Sequence, residues 1–134
     1  MNKTIQLALV CLVAACAGTR ALAQSRITVN VPFDFSISDR TFPTGRYSVF
    51  SLHDRLTVQD SSGRPVFIGI ANQVSGRRVA RTGMIVFRCY EVRCFLSELW
   101  TPTAENGSQL LPSRREAALA RYGRGTEFAL LAQP

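Results

Sequence analysis

Histidine, lysine and tryptophan each occur once in this sequence, as His53, Lys3 and Trp100, and no apolar run reaches the length of a membrane-spanning helix, about 20 residues. The lone histidine removes most metal chemistry. A site around His53 needs carboxylates or thiolates, and the nearby Asp54 and Asp60 do not fall at ligand spacing. It also argues against a serine hydrolase, because His53 is the only candidate base and no G-x-S-x-G turn presents a serine to it. Five glutamates, Glu91, Glu98, Glu105, Glu116 and Glu127, are spread without a spacing that suggests a catalytic carboxylate pair. No C-x-x-C opens a helix, no zinc-finger spacing occurs, and neither an aromatic RNA-binding motif nor a basic helix is present. The expectation is a non-enzymatic protein with no metal or cofactor and no nucleic-acid partner.

What is present begins with a leader. Lys3 supplies a small positive start, Ile5–Ala17 is apolar apart from Gln6, and Ala21-Leu22-Ala23 gives the small-x-small pattern of a signal-peptidase site. Residues 1–23 thus read as a signal peptide cleaved after Ala23, leaving residues 24–134 as a single β-rich domain. A rival route exists, because Val13-Ala14-Ala15-Cys16 resembles a lipobox in which Cys16 becomes a lipidated N-terminus; a third is an uncleaved anchor. Both main routes take the chain to the periplasm or beyond, with no membrane span after signal removal.

The net charge of +7 is carried almost wholly by arginine, whose planar fork suits carboxylates and phosphates. An anionic envelope component or an acidic glycan is one expected neighbour; plain solubilisation of the domain is the alternative. Outside the leader only Cys89 and Cys94 remain. They flank a four-residue connection between two apolar segments, so a hairpin places them opposite each other, and an oxidising compartment favours a bridge over free thiols.

Periodicity is strongest at Ile27, Val29, Val31, Phe33, Phe35 and Ile37, a period of two that puts all six on one face of extended chain. Pro32 makes this an edge strand or breaks it in two. Further strands are expected at Arg46–Leu52, Arg55–Gln59 and Pro65–Ala71. The last is apolar on both faces, which suggests a central, well-covered strand with Gly69 allowing a bulge or a close approach. Met84–Trp100 reads as an apolar hairpin, Thr101–Gln109 as a loop, and Glu127–Ala132 as a final strand. Ser113-Arg114-Arg115-Glu116 fits a capping box opening a short helix that Gly123 is placed to end. The fold class expected is all-β, mainly antiparallel: a small sandwich or barrel of seven to eight strands with one late helix.

Two pairs of motifs carry a resemblance. Val31-Pro32-Phe33-Asp34-Phe35 with Phe42-Pro43-Thr44-Gly45-Arg46-Tyr47, and Phe95-Leu96-Ser97-Glu98-Leu99-Trp100 with Leu111-Pro112-Ser113-Arg114-Arg115-Glu116, resemble the VPFDF…PxGxY and FLSEIW…LPxSRRE patterns of a group of small exported acidobacterial proteins. The likeness spans nearly the whole chain after the leader and implies an exported, mostly β domain. It implies no catalytic residue. Cys89 and Cys94 fall outside the shared pattern.

One set of residues stands out as a candidate binding site. Glu98 lies between apolar neighbours with Trp100 on its own face of a strand, and Arg114 or Arg115 can return from the helix to pair with it. As a site this is a polar cleft beside an indole, suited to a sugar ring. As structure it is a helix docked on a sheet by an ion pair. The functional expectation is a binding or structural role in the cell envelope. A lipocalin-like carrier, with Phe33, Phe35, Tyr47 and Phe67 lining a void, or a small hydrolase stands as the alternative.

Overall fold

The computed structural model describes residues 26–79, 81–102 and 106–133. The segment read as a signal peptide, including Cys16 and Ala23, lies outside these residues, as does Glu105. Among the described residues there are ten strands: β1 Arg26–Val31, β2 Phe35–Ile37, β3 Arg40–Phe42, β4 Gly45–Leu52, β5 Arg55–Gln59, β6 Pro65–Val74, β7 Met84–Tyr90, β8 Arg93–Trp100, β9 Gly107–Leu110 and β10 Thr126–Leu131. The expected number is seven to eight; β3 and β9, too short to show an apolar alternation, make up the difference. A helix, α1, spans Arg114–Ala120.

The period-two pattern ends where its proline sits. β1 stops at Val31, Pro32 takes the chain out of the ladder, and β2 resumes at Phe35. Tight turns follow the composition: Ser38, His53 and Glu91 take the left-handed conformation between adjoining strands, at φ 57, 56 and 56°. In the Asp60 turn, one carboxylate oxygen accepts from the Ser62 amide, the Ser62 hydroxyl and the Arg64 amide.

The strands lie in the order β1-β4-β5-β6-β9-β8-β2-β3, with β7 on the second edge of β8 and β10 beyond it. All pairings are antiparallel except β2 with β8, which meet in parallel at Ser36 and Phe95. The sheet curls until the chain after β10 reaches β1, where the Gln133 amide donates to the Thr28 carbonyl at 2.8 Å. No full ladder joins the two ends, so the architecture is barrel-like but not closed. Inside it, Ile27, Val29, Phe35, Val49, Leu56 and Phe87 are buried. Phe35 packs edge-on against Tyr47 and Phe87, and Phe33 against Phe87, so three of the four aromatics that a carrier needs around a void instead pack against other rings.

β7 and β8 are covered on both faces. Ile85, Phe87, Leu96 and Leu99 face the interior, while Met84, Val86 and Trp100 form a second apolar cluster outside, under Val74 and Val79. Cys89 and Cys94 are opposite each other near the end of this hairpin and form a disulfide.

Three further expectations need correction. β6 is not well covered: Ile68 and Ile70 are 58% and 68% exposed. Its bulge falls at Val66, where Val58 pairs with Phe67 but Gln59 with Pro65. Of the two roles expected of Gly69 the close approach is the one found: it leaves room for the Phe67 ring, which a Cβ would meet at 2.6 Å. The segment read as a loop contains β9, which inserts between β6 and β8. Finally, α1 ends at an ordinary right-handed Arg121, before Gly123 is reached.

Candidate functional site

The Glu98 cluster forms, with a different arginine. Register puts Glu98 and Trp100 on the outer face of β8, opposite Val86 and Met84. β6 then runs into residues 75–79, which cross that face and bring Arg77 down onto it. The Arg77 Nε lies 2.8 Å from Glu98 Oε2 and its Nη2 donates to Oε1 at 3.2 Å. The same guanidinium donates two bonds of 3.0 Å to Glu127 on β10. The Trp100 indole N–H completes the set, donating to Glu98 Oε2 at 2.7 Å. Bonding to Glu127 and Glu98 raises the Arg77 pKa, and the bonds from Arg77 hold the Glu127 carboxyl below its ordinary value.

Arg114 and Arg115 do not join this cluster. Both are exposed on α1, and Arg115 lines a small surface hollow with Asp34, Arg93 and Cys94. The reason is topological: the outer face of Glu98 is already occupied by the segment that leaves β6. Trp100 is 1% exposed, and Gly107 lies so close beneath it that a Cβ would meet the ring at 2.5 Å. The indole has no face to offer a sugar. The cluster is a clasp that fastens residues 75–79 and β10 across the central hairpin, and sequence reasoning missed Arg77 because nothing in its neighbourhood distinguishes it from Arg78 or Arg81.

The open site lies on the other side of β9. β6 pairs with β5 along Arg55–Gln59, but on its second edge it pairs with β9 only from Ala71 to Val74. Continuing that register would bring Ser113 opposite Ile68. Ser113 caps α1 instead, its hydroxyl accepting from the Glu116 amide at 3.1 Å, so the chain leaves the ladder at Leu111-Pro112. β6 and β8 therefore splay apart, and the gap is a groove of about 380 Å³ whose lining includes Ile37, Phe67, Leu96, Leu110 and Glu116. Ile68, Ile70 and Leu111 stand exposed along its rim.

Glu116 is buried at 4% exposure. The expected return bond from its carboxylate to the Ser113 amide is not among the hydrogen bonds of the described residues. Burial pushes its carboxyl pKa up, against a smaller opposing pull from Arg88. His53 sits in an exposed turn near Ser51, Gln73, Asn106 and Ser108, which share a second, polar hollow. Among the described residues no group of three His, Cys, Asp or Glu side chains is placed to hold a metal ion, and no helix is long and apolar enough to cross a membrane. No protein-family model, curated protein or solved structure matches the chain.

Proposed function

We propose that this chain is an exported domain of the bacterial cell envelope that works by association, with the groove between β6 and α1 as its contact surface. The leader pattern with a cleavage site after Ala23, the resemblance to small exported acidobacterial proteins, and the Cys89–Cys94 bridge all support export to an oxidising compartment. The observation that carries the association reading is the uncovered outer face of β6. A strand apolar on both faces normally has both faces buried, yet here Ile68, Ile70 and Leu111 flank an open groove in water. An apolar patch rimming a concavity marks an interaction surface.

Covering the two isoleucines contributes about 2–4 kcal/mol, a fraction of full side-chain burial for each, or roughly 30- to 1,000-fold in affinity. The test is an envelope-fraction binding assay with the Ile68→Asp/Ile70→Asp double variant. The variant is expected to lose association with the envelope while keeping the Tm of the parent, since both side chains already face solvent. Unchanged association would contradict the reading.

A second reading places an acidic glycan elsewhere than at Trp100. Tyr90, Tyr122, Arg93 and Arg124 border an open cleft beside the disulfide-linked turn, with Tyr122 92% exposed. Aromatic rings beside arginines suit a uronic-acid polymer. Tyr122→Ala is then expected to abolish retention on such a polymer, and unchanged retention would remove this site from consideration.

A further inference from the structure

The groove has a feature that an apolar patch alone does not require: one wall is the unpaired backbone of a strand. In an antiparallel ladder, alternate residues turn their amide and carbonyl to opposite neighbours. The Ala71 amide donates to the Asp54 carbonyl, toward β5, at 2.7 Å. Gly69 and Phe67, two and four residues earlier, therefore also address β5. Ile68 and Ile70 face the other way, toward the groove. At the Val66 bulge the carbonyl is met by the Arg40 guanidinium at 2.9 Å, which caps that end of the edge. At the other end the β9 ladder begins at Ala71 and Leu110. Between these two stops, the Ile68 amide, the Ile68 carbonyl and the Ile70 amide have no hydrogen-bond partner among the described residues.

We infer that this edge takes up an extended peptide segment by strand addition, an inference that rests on the groove being the contact surface. Three backbone groups aimed into an apolar notch are a template for main-chain pairing, and side-chain pockets beside them supply selectivity. The notch also selects its occupant. It is bounded by the Ser38 turn on one side and by Leu111, Pro112 and Ser113 on the other. A single extended chain of three to four residues enters such a gap, whereas the edge of a second folded copy meets those flanks first. The peptide it fits alternates apolar and small polar side chains. Its apolar residues lie either against Phe67 and Leu96 on the inner side or against Ile68 and Ile70 on the outer.

The experiment uses the exported chain with a defined probe, acetyl-Ser-Thr-Val-Thr-Val-Thr-Ser-amide, and the same peptide N-methylated at every internal amide. Exchange of the Ile68 and Ile70 amides is followed by NMR. The unmodified peptide is expected to slow both amides at least tenfold, and the methylated one to leave them unchanged. Equal binding of both peptides overturns strand addition while leaving the contact surface in place. Failure of both peptides also overturns it, and if the Ile68→Asp/Ile70→Asp variant then keeps its envelope association, the contact surface falls as well. Slow exchange in the peptide-free chain that depends on protein concentration makes the occupant a second copy, which contradicts the inference.

Discussion

At Glu98, three donors converge on one buried carboxylate: the Trp100 indole and two nitrogens of Arg77. Removing Arg77 leaves that charge without its counter-ion, and Arg77→Ala is expected to destabilise by about 2–3 kcal/mol in urea denaturation. That is below the loss for a fully buried pair because the guanidinium is partly in water. Trp100→Ala removes the largest side chain of the outer cluster and is expected to cost about 3–5 kcal/mol by the same measurement. Gly107→Ala forces a methyl group into the indole, with an expected loss of about 1–3 kcal/mol. Glu116 has the opposite sign. Its folded-state pKa is raised, so the folded chain binds that proton more tightly than the unfolded chain, and stability falls as pH rises through the unfolded value toward the folded one. Glu116→Gln is therefore expected to raise the Tm at pH 7 and to leave it nearly unchanged at pH 3. Glu127, with its pKa lowered, stabilises above its unfolded value, and that contribution is lost as pH falls through the folded value. A Tm-versus-pH series on the parent, Glu116→Gln and Glu127→Gln separates the two.

Among the elements, the β7–β8 hairpin was the most legible in sequence. Its apolar segments Met84–Phe87 and Cys94–Leu96 and its cysteine spacing point to the strands and the bridge, because a strand buried on both faces has no reason to alternate. The bridge closes a very short loop, so the Cys89→Ala/Cys94→Ala double variant is expected to lose about 2 kcal/mol, at the low end for disulfides. β6 was legible as a strand and misread as covered. Two apolar faces indicate burial against something, and sequence does not distinguish the rest of the chain from a partner. β9 was hidden because Gly107-Ser108-Gln109-Leu110 has no apolar alternation; its place is set by the neighbours it joins. The Glu98–Trp100 pair was visible from period two alone. Its arginine was not, because Arg77 reaches Glu98 through the path of residues 75–79, a tertiary outcome with no local signature.

For the molecule as a whole, the incomplete closure of the sheet sets a fastened seam against an open edge. The seam between the chain after β10 and β1 is fastened by the Gln133 amide to the Thr28 carbonyl, with Arg46 donating to the Gln133 side chain. Across the gap at β6, among the described residues, Arg40 reaches the Val66 carbonyl. The sheet thus ties together the ends of its strand order and leaves its opening where β9, which joins β6 to β8, is too short to cover the earlier part of the β6 edge. A free strand edge at this opening leaves its mark on amide hydrogen exchange along β6 in the unliganded chain. The expected record has a period of two: slow exchange at Phe67, Gly69 and Ala71, which address β5, and fast exchange at Ile68 and Ile70. Uniform protection from Phe67 to Ala71 in dilute protein would mean that the edge is already covered, and the groove could not then be the site where a partner docks.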